Sequence, residues 1–117
     1  MKSRARLLIV LWNLLLGLAQ TQADRPIRVL VWDEQQPEQK QAYGTQFLGE
    51  TIAAHLQKLD GLRVTTAKLD DPEQGLAQAA LDATDVLVFW SHRRCREQDP
   101  ARMEAVVDRV QAGRMGL

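Results

Sequence analysis

An apolar run without alternation, Val86-Leu87-Val88-Phe89-Trp90, most constrains how this chain of 117 residues can fold. Polar residues bound the run on both sides, and such a run is typical of a strand that is buried on both faces of a parallel sheet. The run ends at Ser91-His92. Because ligands of open parallel α/β sheets bind beyond the carboxyl ends of the strands, the sequence predicts a functional site near His92.

Two further strands are predicted from local composition. Ile27–Trp32 is apolar and β-branched, and Leu62–Leu69 contains a β-branched stretch. Between them, apolar side chains recur at helical spacing, so we predict a helix that is capped by Thr45 and closed by Gly61. Its apolar stripe consists of Leu48, Ile52, Leu56 and Leu59.

Two more helices complete the pattern. A turn with a capping acid, a proline and a glycine, Asp70–Gly75, leads into a short predicted helix, Leu76–Leu81. The last helix is predicted to begin at Pro100 and to end before Gly113. Its predicted apolar face consists of Met103, Val106, Val107 and Val110.

The predicted order of elements is β-α-β-α-β-α, which is typical of an α/β protein. Right-handed crossovers, with helices on both faces of a doubly wound parallel sheet, place the first of three strands in the middle, in the order 2-1-3. The connections after the first and third strands then leave to opposite sides of the sheet, which creates a topological switch point. We therefore expect Asp33 and Glu34 to lie close to His92.

The first 23 residues have the features of a secretory signal peptide. Basic residues precede an apolar run, Leu7–Leu18, and Thr21-Gln22-Ala23 supplies small residues for cleavage. The alternative is a membrane anchor, but the run is shorter than the roughly 20 residues that span a bilayer. We therefore expect a secreted or periplasmic protein whose folded domain, residues 24–117, has no membrane contact after cleavage.

Charge and motif content exclude several functions. The chain has 15 basic and 15 acidic side chains, and removal of the three basic residues of the signal leaves a net charge of −3. We therefore expect no nucleic acid partner. The absence of GxSxG, P-loop, GxGxxG and Cys-x-x-Cys motifs argues against acyl transfer, nucleotide hydrolysis, a dinucleotide site and dithiol redox chemistry.

Asp33, Glu34 and His92 are the candidate catalytic residues at the switch point. A carboxylate beside an imidazole orients the ring and raises its basicity, which suits proton transfer on a polar substrate. The alternatives are solvated strand ends at Asp33 and Glu34, and a loop histidine at His92 that is satisfied by solvent or by a helix end.

His92 and Cys95 are the candidate metal ligands. At the spacing His-x-x-Cys they can bring a nitrogen and a thiolate to one divalent ion such as zinc. Cys95 is the single cysteine of the chain, so it cannot form a disulfide within one molecule. Intermolecular pairing, a free thiol and a metal ligand remain open for it.

Trp32 and Trp90 stand at the ends of two predicted strands. Their flat rings suit contact with a sugar ring, so we name both as candidate substrate-binding residues; the alternative for both is a place in the core. Three arginines of the following loop either hold an anionic ligand or are solvated. They are Arg93, Arg94 and Arg96.

Four segments resemble the ThuA-like family, which is named for trehalose utilisation. They are VLVWDE at the first strand, TAKLDDPEQGL before the second helix, ATDVLVFWSH at the third strand and VQAGRMGL at the end. The resemblance covers nearly all of residues 24–117. It implies the flavodoxin-like fold shared with class I glutamine amidotransferases and a role in carbohydrate metabolism, on trehalose or keto-sugars. It also implies a sugar or sugar derivative as the partner, and some relatives look metal-dependent.

The resemblance carries over to particular residues. Trp32-Asp33-Glu34 matches a family motif Trp-Asn-Glu, with Asp33 in place of the asparagine. His92 matches the histidine of Trp-Trp-Gly-His, with Ser91 in place of the glycine. Cys95 stands where a second histidine commonly follows, which keeps ligand chemistry for a soft metal and otherwise removes a proton shuttle. A Gly-Ile-His element is expected before the first helix, but Gln46-Phe47-Leu48 lies in its place.

In the family, the segment that matches Met115-Gly116-Leu117 runs on into a fourth strand. We therefore expect residues 24–117 to be the N-terminal part of a ThuA-like domain, of low stability and activity by itself. An oligomer or a missing C-terminal half would cover the exposed edge and face of the third strand. The alternative functions are a noncatalytic carbohydrate-binding or interaction module and a nonfunctional truncated remnant.

Overall fold

The centre of the protein is a sheet of three parallel strands in the order β2-β1-β3. The computed structural model describes residues 25–42 and 44–117; the predicted signal peptide lies outside them. The strands are β1 (Ile27–Asp33), β2 (Leu62–Lys68) and β3 (Val86–Trp90). The predicted α/β class and the strand order 2-1-3 are confirmed, and the arrangement is that of the first three strands of a flavodoxin-like fold.

Helices and short turns connect the strands in the described part of the chain. The helices are α1 (Gln39–Ala42), α2 (Leu48–Leu56), α3 (Gln78–Asp82) and α4 (Pro100–Gln111). The 3-10 turns are Pro72–Gly75 and Cys95–Glu97. None of the described helices is long and apolar enough to cross a membrane.

β1, rather than β3, is the strand that is buried on both faces. Val29–Asp33 is buried throughout, whereas in β3 only Leu87 is buried and its neighbours are partly exposed. β3 lies at an edge of the sheet, and α2 packs on β1 and β2. The prediction that Val86–Trp90 is buried on both faces is therefore wrong, because α2 packs mainly on β1 and β2 and covers its face of β3 only in part.

Alternation along β1 divides the core into two layers, because successive side chains of a strand point to opposite faces. On one face, Val29 and Val31 pack with Ala53 of α2. On the other face, Leu30 and Trp32 pack with α3, α4 and their flanking segments. The buried members there are Leu69, Leu76, Leu81, Leu87, Val106 and Met115.

α2 is shorter than its apolar stripe predicts. Its N-cap is Phe47 rather than Thr45. The helix ends at Leu56, and the side chain of Leu59 is 48% exposed. Gly61 has a φ of +80° and belongs to the turn that enters β2.

The other two predicted helices differ from the structure in detail. α3 begins two residues after the predicted start at Leu76. α4 begins at Pro100 as predicted, but Val107 is 48% exposed and does not belong to its buried face. Arg109 is 6% exposed instead, and its guanidinium donates a hydrogen bond to the Asp82 carboxylate at 2.7 Å. The ion pair lets an arginine replace an apolar residue in the packing of α4.

The segment after α4 lies along the outer edge of β3. Met115 is buried, and Gly116 forms a parallel bridge with Val86. The Leu87 N–H donates to the Gly116 carbonyl at 2.9 Å, and the Gly116 N–H donates to the Asp85 carbonyl at 2.9 Å. The segment Met115-Gly116-Leu117, where a fourth strand is expected to begin, therefore lies beside β3 and runs parallel to it.

Candidate functional site

The ends of β1 and β3 meet at Glu34, as the predicted topology requires. Asp33 pairs with Trp90 in the parallel register, and the Glu34 N–H donates to the Trp90 carbonyl at 3.2 Å. Glu34 is 0% exposed. The carboxylate therefore lies inside the protein, beneath the loop that begins at Ser91.

The Glu34 carboxylate fills a cradle of hydrogen-bond donors that we call the Glu34 nest. Three successive backbone N–H groups donate to it at 2.8–3.0 Å, those of His92, Arg93 and Arg94. The Ser91 hydroxyl donates at 2.8 Å, and the Gln36 side-chain amide also donates. Successive N–H groups of this kind form a concave site for an anion. Here the anion is supplied by the chain itself.

The nest decides the ionisation of Glu34. Burial by itself would raise the pKa of this carboxyl group. The hydrogen bonds from the Arg93 N–H, the Gln36 amide, the His92 N–H and the Ser91 hydroxyl outweigh burial and lower the pKa to about 2. A general base for work near neutral pH needs a pKa near that pH and access to the substrate. The structure therefore favours a positioning role for Glu34, and the alternative of a solvated strand end is wrong.

Asp33 points to the opposite face of the sheet and caps α2. Its carboxylate accepts hydrogen bonds from the Gly49 N–H at 2.6 Å and from the Gln35 N–H at 2.8 Å. Asp33 is 2% exposed, and Gly49 is the second residue of the helix. A carboxylate at a helix N-terminus satisfies free N–H groups and the helix dipole. The structure therefore places Asp33 in the framework of the site, neither solvated nor beside His92.

The contact between Asp33 and Gly49 leads to a stability prediction. A glycine-to-alanine change inside a helix usually gains up to about 1 kcal/mol. At Gly49 the added Cβ would lie 2.7 Å from the Asp33 Cβ, so we expect Gly49→Ala to lower the free energy of unfolding by about 1–3 kcal/mol. Urea unfolding followed by circular dichroism measures it. Gly116→Ala is the control, because its nearest atom would lie at 3.6 Å; an equal effect of both changes would contradict the steric argument.

Arg94 fastens the same loop to the end of β2. Its guanidinium donates to the Asp70 carboxylate at 2.7 and 3.0 Å, to the Glu97 carboxylate at 2.8 and 3.0 Å, and to the Glu34 carbonyl at 2.9 Å. The hydrogen bonds from Arg94 lower the pKa of Asp70 and of Glu97. Of the arginines predicted to hold an anion or to be solvated, Arg94 does neither. Its partners are the protein's own carboxylates.

His92 and Cys95 lie on the surface of this loop. Both side chains are exposed, and the His92 ring centroid lies 6.2 Å from that of Trp90 at an interplanar angle of 34°. Within the described ranges, no group of three or more His, Cys, Asp or Glu side chains is placed to hold a metal ion. A structural zinc site uses four protein ligands, whereas Asp33 and Glu34 are engaged elsewhere. The zinc site at His92 and Cys95 stays a prediction.

The two tryptophans differ in what they offer a ligand. Trp32 is 0% exposed and stacks on Phe89 with centroids 4.4 Å apart and rings 7° from parallel. Neither face of its ring is open to a sugar. The structure therefore favours the alternative, in which Trp32 is a core residue, over a role in substrate binding. Trp90 is partly exposed, and its ring lies beside His92. Of these two tryptophans, Trp90 therefore remains available to a substrate.

Gln74 is a residue of the site that sequence reasoning missed. Its carbonyl accepts a hydrogen bond from the Trp32 indole at 2.7 Å. Its side-chain amide donates to the Glu97 carbonyl at 2.8 Å and accepts from the Asp99 N–H at 2.9 Å. Gln74 has a φ of +55°, which costs a residue with a side chain about 1–2 kcal/mol. The only signal in the sequence is the neighbouring Gly75, because glycine favours the same backbone region.

A polar cavity lies on the other side of β1 from the place we expected. The predicted crevice between the ends of β1 and β3 is filled by Glu34 and by the loop that follows β3. A cavity of about 260 Å³ opens instead at the carboxyl ends of β1 and β2, and we call it the β1–β2 cavity. Its lining includes Asp33, Gln35, Glu50, Thr66, Lys68 and Asp71.

The structure thus brings Asp33, Glu34 and His92 to one end of the sheet but exposes only His92. Strand alternation sends the two adjacent carboxylates to opposite faces, so that one holds α2 and the other holds the loop of His92. The arrangement presents an imidazole, a thiol and part of an indole to solvent on a loop that is held from below. In comparisons with known proteins, no family model and no curated protein matches this chain.

Proposed function

We propose that residues 24–117 belong to a ThuA-like domain that acts on a sugar, with His92 as the residue that exchanges a proton with the substrate. The Glu34 nest carries the proposal. It joins the segments Trp32-Asp33-Glu34 and Ser91-His92, which bear the resemblance and lie 57 to 58 positions apart at their contacts. Contact between two such distant motifs at the carboxyl end of a parallel sheet supports a common function.

The surroundings of His92 suit proton transfer. Histidine is the side chain that most often serves as a general acid or base near neutral pH. The backbone N–H groups of His92 and of the next two residues are bound to Glu34, and Arg94 ties the loop to Asp70. The imidazole therefore sits on a fixed backbone while its ring faces solvent. Glu34 and Asp33 act as positioning residues in this proposal.

The partly exposed Trp90 supplies an apolar surface beside the imidazole. Aromatic rings present a flat face with a polar edge, and this combination suits the apolar patch of a sugar ring. The proposed partner is accordingly a sugar or sugar derivative, and the signal features of residues 1–23 support a secreted or periplasmic location for the proposed reaction.

A noncatalytic interaction module is the second candidate, and the edge of β3 favours it. Val86, Val88 and Trp90 are each partly exposed, because they lie on the face of the sheet that carries α2, and α2 packs mainly on β1 and β2. Beyond the bridge at Gly116, the described outer edge of β3 has no strand partner. Strand edges of this kind accept a strand from another chain.

A histidine substitution separates the two candidates. We expect His92→Ala to reduce turnover of trehalose or a keto-sugar by at least about 100-fold, because general acid–base catalysis contributes roughly 10²–10⁴-fold. Its unfolding midpoint should not change, since the ring is exposed and accepts no hydrogen bond from another described residue. Product formation by chromatography is the measurement.

His55→Ala is the matched control, because His55 is an exposed histidine of α2. Turnover that is equal in both variants and in the unmodified chain would refute the role of His92. Sugar binding without turnover in all three proteins would favour the noncatalytic module.

A further inference from the structure

The β1–β2 cavity is built by three separate parts of the chain. The end of β1 contributes Asp33, the first turn of α2 contributes Glu50, and the end of β2 with its following turn contributes Thr66, Lys68 and Asp71. The volume of about 260 Å³ lies just below the roughly 300–1,000 Å³ of pockets for drug-sized ligands. The cavity therefore suits one small ligand.

Hydrogen bonds within the protein use only part of the polar groups in the cavity. Both oxygens of Asp33 are engaged. One oxygen of Glu50 accepts from the Phe47 N–H at 2.9 Å, and one oxygen of Asp71 accepts from the Lys68 N–H at 3.0 Å. The second oxygen of each carboxylate, the Lys68 ammonium and the Thr66 hydroxyl make no hydrogen bond with another described residue.

The spare groups define the chemistry of a ligand. Two carboxylate oxygens accept hydrogen bonds, an ammonium group donates them, and a hydroxyl group does both. A ligand with several hydroxyl groups matches this set, because each hydroxyl donates to a carboxylate and accepts from an ammonium. Three carboxylates against one ammonium disfavour an anion, since like charges in a partly enclosed site repel.

The walls of the cavity are held in place before any ligand arrives. Asp33 fixes the first turn of α2 through the Gly49 N–H at 2.6 Å. Behind the cavity, on the opposite face of β2, Gly75 packs so closely that an added Cβ would lie 2.5 Å from the Ala67 Cβ. A site with preset walls loses less conformational freedom on binding.

We propose that the β1–β2 cavity binds a small polyol that is neutral or cationic, of the size of one monosaccharide. The inference goes beyond the proposed function, because it assigns a second ligand site, in this cavity, in addition to the one beside His92. The imidazole of His92 then lies across β1 from the bound ligand, and the two sites are separable by experiment.

The test is an NMR titration of the 15N-labelled chain with glucose, glucosamine and glucuronate. We expect glucosamine and glucose to shift the amide signals of Gly49, Thr66 and Lys68, and glucuronate to bind at least about tenfold more weakly because of its charge. Thr66→Val and Lys68→Met should each weaken glucose binding by about tenfold, since each removes one hydrogen-bonding group.

Matched controls lie close by in the chain. Thr65→Val alters the residue of β2 that precedes Thr66 and is exposed on the opposite face of the sheet, and Lys58→Met removes an exposed lysine after α2. Both controls should bind glucose as the unmodified chain does. Equal weakening by a control and its partner variant would overturn the assignment.

The outcomes separate this inference from the proposed function. Absence of shifts at the cavity amides with glucose and glucosamine overturns the inference, as does glucuronate binding as tight as that of glucosamine. Shifts confined to Ser91–Glu97 and lost in His92→Ala overturn it and leave the proposed function standing. Cavity shifts together with unchanged turnover in His92→Ala support the inference and refute the proposed function.

Discussion

Replacing Glu34 by glutamine is expected to lower the free energy of unfolding by about 3 kcal/mol, because hydrogen bonds to a buried charge are worth about 1.5–3 kcal/mol each and are not additive. Glu34 is 0% exposed and is bound by N–H groups of three successive residues. A glutamine side chain would turn at least part of an NH2 group toward these donors. Since a small domain is stable by only about 5–15 kcal/mol, the loss is a large share of the total.

Urea unfolding followed by far-UV circular dichroism measures this effect, and Glu38→Gln is its matched control. Glu38 lies four residues further along the chain and is exposed. We expect the control to unfold as the unmodified chain does. A Glu34→Gln protein with unchanged stability would show that the nest contributes nothing to the fold.

The same interaction predicts a dependence on acid. The pKa of Glu34 is lowered from 4.5 to about 2 in the folded protein, so the folded state binds fewer protons than the unfolded state in this range. The stabilisation is complete above the unfolded pKa and is lost as the pH falls through the folded one. Between neutral pH and about pH 3, Glu34→Gln should therefore lose less stability than the unmodified chain. An identical acid response of both proteins would contradict the prediction.

Some acid sensitivity should persist in that variant. Arg28 donates hydrogen bonds to Asp85 from its side chain and from its backbone N–H, and these lower the pKa of Asp85. By the same sign argument, Asp85 stabilises the fold above its unfolded pKa and stops doing so in strong acid. The comparison between variants, rather than the acid response of one protein, isolates Glu34.

Trp32→Ala is expected to cost about 3–5 kcal/mol, which is the usual range for removing a buried large aromatic side chain. Trp32 is 0% exposed, stacks on Phe89 and donates to the Gln74 carbonyl. The change leaves a cavity and an unsatisfied carbonyl group. Urea unfolding measures the loss, and Trp90→Ala, at a partly exposed tryptophan, should cost clearly less.

A second variant separates the structural role of Trp32 from a role in binding. Trp32→Phe keeps a ring against Phe89 and loses the hydrogen bond to Gln74, so we expect a cost of about 1–2 kcal/mol. Glucose affinity, measured by the NMR titration, should be unchanged. Loss of affinity in a folded Trp32→Phe protein would restore Trp32 as a substrate-binding residue.

Much of the fold follows from local sequence patterns. The apolar runs predicted β1 to within one residue and β3 with its observed bounds, and Pro100 marked the start of α4. The handedness of crossover connections then yielded the order of the strands. These features depend on residues that are close in sequence or on a general rule of chirality, and both can be read without a structure.

The candidate site was predicted in location but not in the roles of its residues. The meeting of Glu34 with the loop of His92 was expected from topology. The burial of the carboxylate was not, because the donors that stabilise it are backbone N–H groups, which every residue has and no sequence pattern marks. Gln74 was missed for the same reason, since its carbonyl and its left-handed backbone leave no trace in its own side chain.

By itself, the sequence determined the class of the protein, the bounds of its main strands, their order and the end of the sheet at which polar side chains gather. Periodicity and chirality act locally, so they are visible in the chain. Only the tertiary structure decided that Asp33 caps α2, that Glu34 binds the backbone of the loop of His92, and that the open polar cavity lies between β1 and β2. Those outcomes depend on burial and on hydrogen bonds between distant segments, and such contacts exist only once the strands are side by side.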